Sequence, residues 1–236
     1  MAEITYIGNE LELFQHAATW KRYYANILKP YIKENVLEVG AGIGSTTEYL
    51  CDGSPAKWLC LEPDPSLFEK LQQKIQKKEL PSCCYAIKGI ISDLQEDMKF
   101  DTILYIDVIE HIENDAAELQ QAKEILSEGG HLIVLVPAHQ SLFSPFDKTI
   151  GHYRRYNKKR LLSAIPKDLQ HRKLVYLDSI GLLASLMNKF FLRQDYPTSK
   201  QINFWNKVMV PISKTTDRFV NYKLGKTLIG IWKKIK

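Results

Sequence analysis

Three glycines spaced two residues apart, Gly40, Gly42 and Gly44, separate a short β-rich run, "NVLEV", from a segment opening at Ser45 and Thr46 that reads as the start of a helix. A strand, a turn built on residues without side chains and then a helix is the arrangement in which a backbone can approach a nucleotide-like ligand closely. In the dinucleotide fingerprint G-x-G-x-x-G the third glycine falls at Ser45 in this chain, so the turn departs from a pyrophosphate binder. Glu38, just before the turn, would repel a pyrophosphate and suits a ligand that carries a positive charge or an ammonium group.

The alternation continues along the chain. "KWLCLE", "SCCYAIKG", "DTILYID", "HLIVLVP" and "HRKLVYLD" read as strands. Between them lie helices from Pro65 to about Lys78, capped by Asp64, from Asp115 to Leu126, closed by Gly129 and Gly130, and over "YNKKRLLSAI". Such order predicts parallel βαβ units under helices on both faces. Apolar positions Leu11, Phe14, Ala18, Tyr24 and Leu28 predict one amphipathic helix over Asn9–Leu28, ended by Pro30. After Asp178 two helical stretches carry Leu182, Leu183, Leu186, Phe190, Phe191, Phe204, Trp205 and Met209, punctuated by Pro197 and Pro211. "KTLIGIWKK" reads as a closing strand in preference to a basic amphipathic helix. The expected fold is a single α/β, Rossmann-like three-layer sandwich with a mostly parallel seven-stranded sheet. Residues 1–34 form an N-terminal helical cap, and residues 179–224 form a helical insertion on the substrate side, before the last strand.

The ordered segments Glu38–Gly44, "LCLEPDP" with Glu62 at the end of the second strand, and "FDTILYIDVIEHIEND" resemble the motifs of class I S-adenosylmethionine-dependent methyltransferases, in particular the bacterial small-molecule type 11/12-like branch. The resemblance covers roughly residues 20–177. It implies S-adenosylmethionine as cofactor, held over Gly40, Gly42 and Gly44, with Glu38 holding the turn or the amino group. Glu62, followed by Pro63, accepts the ribose hydroxyls in this reading, since one carboxylate takes two donors. Glu62 lies 20 residues after Gly42, a spacing nicotinamide enzymes share. Where many relatives carry an acidic residue for the adenine amine this chain has Ile90, so adenine contacts fall to Ile90 and Ile91 or to Asp93. Asp107 faces cofactor or substrate.

Two groups of residues offer catalysis. In "DVIEHI", Asp107 and His111 are candidates, His111 as a general base because its ordinary pKa lies near neutrality. Alternatives are a divalent cation held by Asp107, Glu110, His111 and a loop histidine such as His139, as in RNA-end methyltransferases, or plain packing of Glu110 and His111 beneath the cofactor. Packing ranks first, and no metal is expected. In "PFDKTIGHYRRYNKKRL", His152 is the first candidate for a base or a substrate-orienting residue. Tyr153, Arg154 and Arg155, with His139 nearby, are substrate-binding candidates, against the alternative that Arg and Tyr staple the loop to the acidic body.

Charge divides the chain. Residues 1–150 have 13 Lys and Arg against 23 Asp and Glu, and residues 151–236 have 19 against 4. The basic third points to an anionic partner or to neutralisation by the acidic body. The expected acceptor is a small molecule, a glycan or a lipid-linked compound, with peripheral membrane contact through that third and no specific nucleic acid. Competing activities are a metal-dependent RNA methyltransferase, a nicotinamide-dependent oxidoreductase and a catalytically silent cofactor binder. The acidic N-terminal stretch does not resemble a signal peptide, and no apolar run approaches the ~20 residues of a membrane span, so the expected location is the cytoplasm or the inner face of the membrane. Cys51, Cys60, Cys83 and Cys84 lack zinc-type spacing and read as small reduced core residues.

Overall fold

A computed structural model describes residues 14–95, 97–192 and 196–235. Its seven strands are β1 (Asn35–Val39), β2 (Lys57–Glu62), β3 (Cys84–Lys88), β4 (Phe100–Ile106), β5 (Leu126–Pro137), β6 (Leu169–Leu177) and β7 (Thr227–Lys234), in the spatial order β3-β2-β1-β4-β5-β7-β6. β7 runs antiparallel to both neighbours, and the other pairings are parallel. The helices are α1 (Ala18–Leu28), α2 (Thr47–Leu50), α3 (Pro65–Gln76), α4 (Asp115–Ile125), α5 (Pro145–Thr149), α6 (Lys158–Ala164), α7 (Ser179–Met187), α8 (Ser199–Phe204) and α9 (Val210–Phe219). π-helical turns at Asn188–Leu192 and Trp205–Met209 extend α7 and join α8 to α9.

The central strands are apolar on both faces because both are covered. Leu37, Val39, Leu59, Leu61, Ile103 and Tyr105 enter one core with Leu119 of α4 and Leu161 of α6. Val36, Trp58, Cys60 and Leu104 enter the other with Trp20 and Tyr24 of α1 and Trp205 of the insertion. Strand alternation therefore sends Glu38 to the α1 side, among Trp58 and Cys60. Asp64 caps α3 by accepting the backbone N–H groups of Ser66 and Leu67, both at 2.8 Å, with Pro65 at the first helical position. α1 and the insertion are tied together: Tyr23 donates to Asp217 at 2.9 Å, and the Trp20 N–H donates to Asn206 at 3.0 Å. Asp217 also accepts the backbone N–H groups of Asp178 and Ser179, and Trp205 donates to Asp178 at 2.7 Å.

Several local expectations change. A turn at Gln15 and His16 precedes α1, so the helix begins at Ala18; Leu11 lies outside the described residues, as does the side chain of Phe191. Thr46 is already helical in backbone and gives no side-chain cap to the short α2. α4 ends at Ile125 and Leu126 is already extended, so Gly129 and Gly130 lie inside β5. There the pairing with β4 slips between Phe100 and Thr102. The last segment is a strand, mostly buried between β5 and β6. The cysteines are free, and three of them converge: the Cys51 sulfur lies 3.5 Å from that of Cys83 and 3.6 Å from that of Cys84.

Candidate active site

The strand order reverses between β1 and β4, and in such sheets ligands lie beyond the carboxyl ends of the strands at that point. The glycine turn, Glu62, Asp107 and the loop after β5 all leave the sheet at this edge.

Gly40, Gly42 and Gly44 have φ of 65°, 57° and 73°, in the left-handed region that side chains disfavour. Their clearance serves different neighbours. A Cβ on Gly40 would stand 2.7 Å from a Val108 methyl, and one on Gly44 would stand 2.8 Å from Leu71, so these two glycines let protein approach protein. The Gly42 N–H donates to Glu62 at 2.7 Å, and the other oxygen of Glu62 accepts the Asp64 N–H at 2.9 Å. This buried carboxylate thus touches the turn directly and keeps a further lone pair on each oxygen. Burial pushes its pKa up, against the two backbone bonds that favour the ion. The turn at Gly42, beside a buried carboxylate with spare acceptor capacity, fits a nucleoside bearing ribose hydroxyls.

Glu38 is buried, and one of its oxygens accepts both Thr47 at 2.7 Å and the Trp58 indole N–H at 2.8 Å. It ties the end of β1 to α2, the turn-holding member of the two roles weighed for it. Burial raises its pKa to about 7 against those two hydrogen bonds. Lys21 of α1 escaped the sequence reading. It is buried, donates to the Ser45 and Gln15 carbonyls at 3.1 and 3.2 Å, and is lowered to about 8 by burial. Ala17, Lys21, Tyr24 and Leu28 share one helical face, so a lysine on an otherwise buried stripe was the available signal.

Pro63 is half-buried between Glu62 and the α3 cap. Ile91 is buried and Ile90 half-buried, while Asp93 is exposed and accepts the Ile90 N–H at 2.9 Å, closing the turn after β3. Asp107 is exposed at the end of β4 with φ of 55°, a conformation uncommon for a residue with a side chain. Its charge acts both on Lys21 beside the glycine turn and on Lys226 at the start of β7, so it stands between the two halves of the site.

The loop after β5 folds on Asp147. Ser144 caps α5 and donates to Asp147, Arg155 grips both carboxylate oxygens at 2.7 and 2.9 Å, and His152 Nδ1 lies 2.9 Å from Oδ1. Burial alone would raise the Asp147 pKa, but bonds from His152 and Arg155 hold it well below the usual carboxylate range. His152 Nε2 is then the lone-pair nitrogen, 3.9 Å from Glu110. The His111 ring meets that of His152 edge-on at 4.5 Å, and burial followed by the neighbouring His152 lowers His111 to about 3. Glu110 is fully buried, and neither of its carboxylate oxygens has a hydrogen-bond partner. Burial, then the charge of Asp107, raises it well above the carboxylate range. Ligand atoms of Glu110, His111 and His152 lie within 4.8 Å of one another. Of the metal set considered from sequence, His139 is absent from this cluster. It stacks on Tyr176 and bonds the Gly225 carbonyl through Nε2 at 2.9 Å.

Arg154 donates to the Ile112 and Glu113 carbonyls, both at 2.6 Å, and pairs with Asp115 at 3.1 Å. It is the staple that sequence reading offered as the alternative to an anion contact. Tyr153 is exposed beneath the Arg154 guanidinium. Arg155 borders a cavity of about 680 Å³ between α5 and the insertion. That cavity is walled by Phe143, Phe146, Phe204 and Trp205, and it has Lys189, Lys200 and Lys226 on its lining. Lys226 sits over the Trp205 ring at 5.1 Å, and burial lowers its pKa.

Residues 37–132 match the family model for a methyltransferase domain. The chain is 27% identical over 110 residues to the mitochondrial ubiquinone biosynthesis O-methyltransferase of Dictyostelium discoideum, covering 42% of this chain and 34% of that protein. It is 27% identical over 165 residues to the demethylmenaquinone methyltransferase of Tropheryma whipplei, covering 66% and 62%. The matched stretch thus spans less than two thirds of either relative. The fold resembles the N-methyltransferase NodS of Bradyrhizobium japonicum in complex with S-adenosylhomocysteine, with a TM-score of 0.58, 13% identity and coverage of 97% and 89%. Residues 37–132 thus match a methyltransferase domain, and the sheet order and glycine turn belong to a fold shared with the methyltransferase NodS.

Proposed function

We propose that the chain transfers the sulfonium methyl group to an oxygen, nitrogen or carbon nucleophile of a small acceptor that has an apolar body and an anionic group. The observation that carries the acceptor class is the cavity bordered by Arg155. Aromatic side chains wall it, Arg155, Lys189, Lys200 and Lys226 border it, and no carboxylate lines it among the described residues. The names of the two relatives concern ubiquinone biosynthesis and demethylmenaquinone, in keeping with the apolar body of such an acceptor.

The cofactor supplies an electrophilic methyl carbon, and the carbon–sulfur bonding pair leaves as a thioether lone pair. The protein's share is geometry. Glu62 and the turn at Gly42 fix the nucleoside, with Ile90, Ile91 and Asp93 on the adenine side, and Asp107 borders both cofactor and acceptor. The cavity aligns the nucleophile with the methyl group, the largest contribution available to a displacement of this kind. Where the nucleophile carries a proton, His152 Nε2 receives it, with Asp147 fixing the ring and stabilising the imidazolium. Lys226 meets the anionic group, and Arg155 borders it while bound to Asp147.

A thermal-shift comparison tests the class: S-adenosylhomocysteine raises the melting temperature and NAD does not, whereas stabilisation by NAD alone contradicts the reading. Bulk RNA is expected to show little retention in filter binding. The unpartnered Glu110 carboxylate favours a second reading for the same reaction, in which Glu110, His111 and His152 hold a divalent cation that binds the acceptor oxygen. Calorimetric titration with Mn²⁺ of the wild type and of Glu110→Gln tests it, and equal heats from the two proteins exclude it.

A further inference from the structure

The insertion turns a second apolar face outward, besides the one it buries. On α7 and its π-helical turn, Leu183, Met187 and Phe190 are four and three residues apart and exposed, Met187 by 61% and Phe190 by 63%. Along the unbroken helical run Ser199–Phe219, Phe204, Val208 and Ile212 follow at four-residue intervals and are exposed as well, while Ile202, Trp205 and Val210 of the same run are buried. Lys200, Lys207 and Lys214, spaced by seven, make a basic stripe beside the apolar one. Segment 179–224 holds seven Lys and Arg against two Asp, of which Asp217 is buried beneath Tyr23. Single exposed apolar residues are ordinary, but aligned stripes on helices that pack together and are flanked by cations are not.

We propose that this face rests on an anionic lipid surface, with the apolar stripes in the boundary between headgroups and acyl chains and the lysines at the level of the phosphates. A second copy of the chain is the poorer occupant. A two-fold contact would set the same cations against one another with no exposed carboxylate among the described residues of the insertion to answer them, whereas lipid phosphates supply such anions. The inference rests on the proposed function in one respect. Lys189, Lys200 and Phe204 belong both to the cavity lining and to the exposed face, so an acceptor with a hydrocarbon tail enters the cavity from the bilayer. No helix among the described residues is long and apolar enough to cross a membrane, so the contact is peripheral.

Sedimentation of the full chain with vesicles tests the proposal. Vesicles of phosphatidylglycerol and phosphatidylcholine are expected to carry the chain down at low salt, less so as salt rises, and phosphatidylcholine alone is expected to carry little. The combined change Met187→Ser, Phe190→Ser and Ile212→Ser removes apolar contact without touching the cavity lining, and Lys207→Glu with Lys214→Glu reverses the charge. Each variant should bind mixed vesicles on the order of ten-fold more weakly. No sedimentation at low salt, wild-type binding by both variants, or a dimer in vesicle-free solution that the serine variant abolishes would overturn the proposal. Calorimetry with S-adenosylhomocysteine on the same proteins separates the two claims. Cofactor binding without vesicle binding sinks only the membrane face, and vesicle binding without cofactor binding sinks only the methyltransferase reading.

Discussion

Glu38 and Glu62, at the ends of β1 and β2, each accept two hydrogen bonds, while Glu110, a few residues beyond the end of β4, is buried with none. The contrast divides the site in two. On the cofactor side, Glu38 and Glu62 close on neighbours in the turn and in the first two strands. On the acceptor side the Asp147 cluster is closed, but Glu110, His152 Nε2 and Lys226 keep unused capacity. A buried polar group without a partner is costly, and Glu110 is such a group. In the proposed function, the cofactor half is pre-organised and the acceptor half completes its polar contacts with what it binds.

If the halves are separate, damage to one leaves the other intact. The largest effect is expected from Asp147→Ala, which strands Arg155 and His152 in a poorly solvated site and should cost about 3–5 kcal/mol in chemical denaturation. Affinity for S-adenosylhomocysteine should remain within about two-fold, since no cofactor contact is assigned to that loop. Loss of cofactor binding in a folded Asp147→Ala protein would break the division. Glu62→Ala tests the reverse: calorimetry should register about 100-fold weaker S-adenosylhomocysteine binding, from the loss of charge-assisted hydrogen bonds and of the anchor for Gly42. Vesicle binding and the acceptor cavity should be unaffected.

A smaller effect is expected from Glu38→Gln, read as a dependence on pH. The folded pKa of Glu38, about 7, lies above its ordinary value of 4.5. The folded state therefore keeps a proton that the unfolded chain releases, and this contribution, complete below pH 4.5, is lost as pH rises through about 7. Glutamine does not titrate, so wild type should lose on the order of 2 kcal/mol relative to Glu38→Gln across that range in denaturation series. Parallel curves would mean that Glu38 stays ionised in the folded protein. The smallest effect belongs to Asp93→Ala, which frees the Ile90 N–H in an exposed turn and should weaken cofactor binding by about five-fold, roughly 1 kcal/mol.

The two halves also differed in how far they could be read from sequence. Parallel strands covered on both faces are written as contiguous apolar runs, and three positive-φ residues at alternate positions leave glycine as their signature, so β1, β2, β4 and the turn were legible. Glu62 was singled out by the motif resemblance at the end of the second strand, and it touches the turn through the Gly42 N–H. The acceptor side depends on contacts that no spacing announces. His152 meets Glu110 and His111 across some forty residues because the loop folds on Asp147, and His139, equally eligible by position, turns instead to Tyr176 and Gly225. Arg154 and Arg155 are adjacent in sequence yet one staples the β4–α4 connection and the other borders the cavity. The start of β5 was hidden because the polar residues before it continue a helical pattern, and only pairing with β4 extends them.

The central claim is that one nucleoside lies across the turn at Gly42 against Glu62. A crystal structure of the chain grown with S-adenosylhomocysteine tests it most directly. The ribose hydroxyls should lie within hydrogen-bond distance of the Glu62 carboxylate, with the homocysteine portion above Gly42 and its sulfur directed toward Asp107 and the His152 side of the site. A nucleoside found in the cavity between α5 and the insertion, or one bound without any contact to Glu62, would contradict it.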